Sequence, residues 1–143
     1  MNAGKILQAK GGEVFTVSPG DTLLDAARVL DERKVGAVIA VDSSKKPVGV
    51  FSERDLARAV ARSGPEALGH AVETVMTRGL ITAGPGASID ELMGVMTDRR
   101  VRHIIIMDGD AMTGVVSIGD VVKRKIAQAE ADAEALKHYI ETA

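Results

Sequence analysis

Val17–Asp55 reads VSPGDTLLDAARVLDERKVGAVIAVDSSKKPVGVFSERD, and Ala83–Asp120 reads AGPGASIDELMGVMTDRRVRHIIIMDGDAMTGVVSIGD. The second stretch repeats the first in outline. Pro19 and Val35 recur 66 positions later as Pro85 and Val101, while Gly49, Ser52 and Asp55 recur 65 positions later as Gly114, Ser117 and Asp120. One residue has therefore been lost from the loop between Val41 and Gly49. An internal repeat of this kind predicts two similar units that pack together and share a core, with two related clefts between them.

Local patterns give each repeat the order β-α-β-β-α. In the first, Glu13–Val17 is a short extended run before Pro19. A helix starts near Thr22, with Leu23, Ala26, Ala27 and Leu30 at helical spacing. Thr22 with Asp25 resembles a capping box. Ala37–Val41 is an uninterrupted apolar run and reads as a buried strand. Asp42–Pro47 is a turn, Val48–Phe51 the returning strand, and Ser52 opens a helix reaching about Arg62. The second repeat follows the same course: strand Leu80–Thr82, helix Ser88–Arg99 with Ser88 and Glu91 as a capping box, strand His103–Met107, turn Asp108–Met112, strand Thr113–Ser117, and a helix from Ile118. Ser63-Gly64-Pro65 breaks the chain between them, and Glu66–Met76 reads as a linking helix.

A small sheet covered on one face by helices cannot bury its other face alone. The expected fold is therefore α+β, with the two repeats packed sheet to sheet about a pseudo-twofold axis. The domain reading is residues 1–63 for the first repeat, 64–78 for the link, 79–125 for the second repeat and 126–143 for a C-terminal helical extension. In that extension Ile126, Ala129, Ala133, Leu136 and Ile140 form an apolar stripe opposite Lys125, Glu130, Asp132, Glu134 and Lys137. Such a stripe needs a surface to cover, either on its own domain or on a second copy.

Composition narrows the function classes. The 143 residues carry a formal charge of −2, which exerts no general pull toward nucleic acid or an anionic membrane. Cysteine is absent, which removes thiol catalysis and Cys-based metal sites and suits a reducing cytoplasm. No apolar stretch approaches the 18 residues of a membrane span, and MNAGKILQAKGGE lacks the apolar core of a signal peptide. Phe15, Phe51 and Tyr139 are the only aromatic residues, so the core is aliphatic and base stacking on aromatic platforms is disfavoured.

The repeated phrases Gly49-Val50-Phe51-Ser52-Glu53-Arg54-Asp55 and Gly114-Val115-Val116-Ser117-Ile118-Gly119-Asp120, the starts Thr16-Val17-Ser18-Pro19 and Thr82-Ala83-Gly84-Pro85, and the Val75-Met76-Thr77 phrase resemble a tandem pair of cystathionine β-synthase (CBS) domains, a Bateman module. The resemblance runs from about Val14 to Lys125 and is similar in particular to free-standing bacterial CBS pairs. It implies an adenosyl ligand (AMP foremost, otherwise ADP, ATP, NAD(H) or S-adenosylmethionine), a regulatory role without chemistry of its own, a homodimer, and an unknown regulated partner.

On that resemblance, Asp120 and Asp55 would offer two carboxylate oxygens to the two ribose hydroxyls. Ser117 and Ser52 sit where helix N–H groups and the helix dipole favour phosphate. The better cleft would be lined by Thr16, Val35, Gly36, Arg102, His103, Val115, Ser117, Gly119 and Asp120, and the second by Thr82, Val101, Val50, Ser52, Arg54 and Asp55. Val115 and Val50 would wall the adenine. A plainer reading stands beside this one: Ser-x-x-Asp at a helix start is itself a capping box, and duplication copies caps as readily as sites. Gly49 and Gly114 would then only permit close strand packing. The repeats disagree at Arg102-His103, which replaces Gly36-Ala37. With Arg99 and Arg100 this makes a basic cluster, which in the family reaches the ligand phosphate. Its alternative is a solvated cluster paired with Asp98 or Glu91.

Two other chemistries are disfavoured. Ser117, His103 and Asp120 lack the Gly-x-Ser-x-Gly elbow of a hydrolase. His70, His103 and His138 lack metal-ligand spacing, so no metal is expected. A ligand-free dimerisation or adaptor protein remains the alternative to a nucleotide sensor, with a small-molecule enzyme behind it.

Overall fold

The computed structural model describes residues 1–142 and contains two compact units, Glu13–Leu80 and Met1–Gly12 with Ile81–Ala143. In the first unit β1 (Thr16–Val17) pairs parallel with β2 (Ala37–Val41), which pairs antiparallel with β3 (Pro47–Ser52). Helices α2 (Leu23–Arg33) and α3 (Glu53–Ser63) complete it. The second unit has the same plan: β4 (Thr82–Ala83), β5 (His103–Asp108) and β6 (Ala111–Ser117) with α4 (Ile89–Arg99) and α5 (Ile118–Thr142). To these it adds α1 (Ala3–Lys10).

The duplication extends to fine geometry. Thr16 pairs with Ile39 and Thr82 with Ile105. The register slips between Ala40 and Val41 in one sheet and between Ile106 and Met107 in the other. Below that bulge, Val41 meets Pro47 across residues 42–46, whereas Met107 meets Met112 across residues 108–111. The lost residue falls there. The longer loop is held by the Asp42 side chain, which accepts the N–H groups of Ser44 and Lys46, and the shorter one turns at Gly109 with φ +61°. The second β-β turn is thus tighter than the sequence predicts, with β5 running through Asp108 and β6 starting at Ala111.

Aliphatic side chains fill both cores. Leu23, Ala26, Leu30, Val38, Ala40 and Phe51 pack in the first, and Ile89, Leu92, Met96, Ile104, Ile106 and Val116 in the second. Ile39 and Ile105, on the opposite face of their strands, are equally buried, which explains why both central strands read as continuous apolar runs. Thr22 and Asp25 form the complete capping box that the sequence predicts. At α4, Ser88 accepts the Glu91 N–H at 3.1 Å, but the reciprocal bond of a full box is not made there. The start of α1 lies alongside that cap instead, with Asn2 bridged to Ser88 and the Ala3 N–H donating to Ala87 O.

Two further differences concern the segments flanking the repeats. The single linking helix expected over Glu66–Met76 is two 3-10 turns, Gly64–Gly69 and Val72–Thr74. Between them His70 is extended, and the backbone bonds to the start of α2 through Leu23 N–H to His70 O and Val72 N–H to Asp21 O. A continuous helix would have consumed those groups internally. The N-terminus, placed with the first repeat in the sequence reading, packs on the second. Asn2 caps α1, and Ala3, Ile6 and Leu7 are buried in the second core.

These flanking segments explain the paired glycines, which make room for a side chain rather than for a strand. A Cβ on Gly114 would lie 2.6 Å from Leu7 Cδ2, and a Cβ on Gly49 would run into the Met76 side chain. The segment before the first repeat therefore seals the second sheet, and the segment between the repeats seals the first. Gly49→Val and Gly114→Val should each lower the unfolding free energy by about 1–3 kcal/mol through overpacking, measured by urea denaturation. Near-neutral values at both positions would show that Met76 and Leu7 do not need the space.

Candidate functional site

Each returning strand turns directly into a helix, and the corner is made by a serine. Ser117 N–H donates to Asp120 Oδ2 at 2.9 Å and the Asp120 N–H donates to Ser117 Oγ at 3.2 Å. At the other corner Ser52 N–H and Oγ–H donate to Asp55 Oδ2 at 2.9 and 3.1 Å, and the Asp55 N–H returns to Ser52 Oγ at 3.3 Å. Both Ser-x-x-Asp phrases are therefore caps, as the plainer sequence reading holds. The cap does a second thing: it fixes a half-buried carboxylate in the first turn of a helix, beside the end of a strand.

The basic pair of the second repeat is brought to the same corner. His103 sits opposite Ser117 in the β5–β6 register, and Arg102 O accepts the Ile118 N–H at 2.8 Å. In the first repeat Ala37 sits opposite Ser52, and Gly36 O accepts the Glu53 N–H at 3.0 Å. The backbone roles match while the side chains do not. Arg99, Arg100 and Arg102 are exposed, and no ion pair joins them to Asp98 or Glu91 among the described residues. Val115, Gly119 and Asp120 belong to the same unit as Arg102 and His103, as Val50 and Arg54 belong with Ser52 and Asp55. Thr16, Val35 and Gly36 lie in the Glu13–Leu80 unit, and Thr82 and Val101 in the other.

One participant is not marked by the sequence. Lys10, the last residue of α1, donates from Nζ to Asp120 Oδ2 at 2.6 Å and to Val115 O at 3.0 Å. Only helix capping by Asn2 and the spacing of Ala3, Ile6 and Leu7 foreshadow α1, and nothing in the sequence links Lys10 to Asp120, 110 residues away. The two valine positions thereby acquire different partners. Val50 exchanges both backbone bonds with Thr77 at 2.9 Å, whereas Val115 O takes the lysine ammonium.

Burial pushes the Asp120 carboxyl upward, but the Lys10 hydrogen bond, the Ser117 backbone N–H and the lysine charge outweigh it and hold the group below the usual aspartate range. Asp120 is thus ionised at neutral pH and able to accept hydrogen bonds, not to donate them.

This arrangement of strand, serine cap and carboxylate, occurring twice, is matched by a family. The CBS domain model fits residues 11–62 and again residues 72–126. The chain belongs to the CBS-domain family. Among CBS relatives, it is 31% identical over 144 residues to CBS domain-containing protein CBSX3, mitochondrial, of Arabidopsis thaliana, spanning 95% of this chain and 70% of that protein. A CBS-domain containing protein from Agrobacterium tumefaciens superposes with a TM-score of 0.82 at 36% identity, covering 87% of this chain and 92% of that one. More distant CBS structures share the fold. One, from Pyrobaculum aerophilum, was solved with AMP (TM-score 0.74, 24% identity, 84% and 89% coverage). Another, the CBS domain pair of protein MJ0100, was solved with 5′-methylthioadenosine and S-adenosyl-L-methionine (TM-score 0.79, 22% identity, 90% and 98% coverage).

The Lys10–Asp120 pair makes a pH prediction. A carboxyl whose folded pKa is lowered contributes stability that is complete above its unfolded value, about 3.9, and is lost as pH falls through the lower folded value. Both side chains are partly exposed, at 36% and 22%, so the contribution is modest. Lys10→Met should cost about 0.5–1 kcal/mol at pH 7, and the cost should shrink toward zero as pH drops below about 4. Urea denaturation at pH 7 and pH 3 checks this, and a cost independent of pH would exclude the ion pair as its source.

Proposed function

We propose that this CBS-domain protein is a regulatory module that binds an adenosyl ligand, AMP foremost, and signals through conformation or dimer geometry without chemistry of its own. Asp120 carries the reading. It is an ionised, half-buried carboxylate in the first turn of a helix, with an arginine–histidine pair at the same corner. A carboxylate suits a ribose diol, and an arginine with a histidine beside a helix start suits a phosphate. The AMP-bound and S-adenosyl-L-methionine-bound relatives support the adenosyl class. The arginine–histidine pair favours its phosphorylated members, AMP, ADP, ATP or NAD(H). Arg102, His103, Val115, Ser117, Gly119 and Asp120 are the proposed ligand residues of the better site. Val50, Ser52, Arg54 and Asp55 belong to the second, which lacks the basic pair. The proposed setting is the reducing cytoplasm that a cysteine-free chain suits.

A ligand that binds only the folded chain at 100 times its Kd adds about 2.7 kcal/mol of stability. A thermal-shift screen across AMP, ADP, ATP, NAD⁺, NADH and S-adenosylmethionine should therefore raise the melting temperature for at least the phosphorylated members. The shift should fall in Asp120→Ala more than in Asp55→Ala. Equal shifts in all three proteins would remove both carboxylates from the site.

One observation favours the adaptor reading as a second possibility. Helix α5 presents Ile126, Leu136, Tyr139 and Ile140 at 54–70% exposure within one chain. An apolar stripe of that length is a reason to expect a homodimer. If dimerisation is the whole function, truncation before Ala127 should abolish dimers in analytical ultracentrifugation while no nucleotide shifts melting of the full chain.

A further inference from the structure

We infer that Lys10 is a built-in competitor for the ribose diol at Asp120, so that the ligand must displace this lysine to bind. The inference rests on the reading of Asp120 as the ribose carboxylate. Asp120 Oδ2 already accepts the Ser117 N–H and the Lys10 ammonium. Two donors occupy the two lone-pair directions of one carboxylate oxygen. A diol held by one carboxylate needs an acceptor on each oxygen, and on Oδ2 the lysine stands where a hydroxyl must donate.

A lysine as the second donor is particular to the second repeat, because Asp55 Oδ2 takes its second bond from the hydroxyl of its own cap, Ser52. In the register that relates Thr16 to Thr82, position 10 corresponds to Met76, which carries no charge and fills the space over Gly49. The Val50 carbonyl is satisfied there by the Thr77 N–H, so no side-chain donor is needed. In the second repeat the same kind of carbonyl, on Val115, anchors the ammonium that spans to Asp120. The lysine is also well placed to leave. Ala3, Ile6 and Leu7 hold the body of α1 in the core, whereas Lys10 is its last residue, over a third exposed, followed by Gly11 at φ +91°. Displacing it moves one flexible side chain and leaves the helix seated. Binding at Asp120 would then be reported at the C-terminal turn of α1, where the chain leaves this unit.

Isothermal titration of wild type, Lys10→Met and Lys10→Gln with AMP, adenosine and 2′,3′-dideoxyadenosine 5′-monophosphate tests this. Removing a modest ion pair should tighten AMP and adenosine by about twofold to fivefold in both variants. The dideoxy nucleotide, having no diol, should show no such gain whether or not it binds. Binding by the variants alone would support the competition outright. Unchanged or weaker AMP binding in both variants would overturn it, as would an equal gain with the dideoxy form. If wild type binds AMP in an Asp120-dependent way and the variants gain nothing, the ribose reading survives and only the competition falls. If neither wild type nor variant binds AMP or adenosine, both fall together.

Discussion

A helix that begins where a strand ends leaves its first N–H groups without partners unless a side chain supplies acceptors. At Ser52 and Ser117 the serine hydroxyl and the following aspartate solve this within one turn. The rest of each site follows from that solution. The cap sets where the helix starts, Gly36 O and Arg102 O tie its first residue back to the central strand, and the carboxylate cannot swing away. A group needed for folding is thereby held rigid at the point where a ligand would meet it. Cap and site are therefore not rival explanations of Asp55 and Asp120. A carboxylate locked by its own helix has little rotamer freedom left to lose when a sugar arrives.

The second constraint is that each small sheet carries a glycine that must be covered. Met76 covers Gly49 and Leu7 covers Gly114, and each comes from a segment outside the β-α-β-β-α unit it seals. Docking α1 through Leu7 brings Lys10 to Asp120 as a geometric consequence, since the two residues are one helical turn apart. The apolar contact and the charged contact are thus parts of one docking event. The first repeat, sealed by a methionine at its backbone bridge, has no helix there to deliver a cation.

Much of this was legible in the sequence because the repeat states each signal twice. The runs Ala37–Val41 and His103–Met107, the caps Thr22, Ser52 and Ser88, and the break at Gly64 are local patterns, and the structure places elements there to within a residue or two. The failures were non-local. Glu66–Met76 looked helical because its composition permits a helix, but backbone bonds to the start of α2 claim the groups around His70. Helix α1 is only eight residues, too short to announce itself against the cost of nucleation, and it exists because the second core buries its apolar face. The clearest gap in the site was Lys10, whose partner lies 110 residues away and whose own neighbours, Ala9 and Gly11, carry no hint of it.

Where the two repeats agree, the agreement is explained by folding: the same register, the same bulge, the same serine caps, the same space over a glycine. Where they differ, the backbone plan they share does not dictate the difference. The first repeat builds its central strand behind Gly36 and Ala37, so the second does not need Arg102 and His103 for that purpose, and it satisfies Val50 with backbone alone, so the second does not need Lys10. Three basic residues, Lys10, Arg102 and His103, are thus particular to one of two corners that otherwise share a backbone plan. That difference in basic side chains, with one of the three already seated on the carboxylate, is what separates the Asp120 corner from the Asp55 corner.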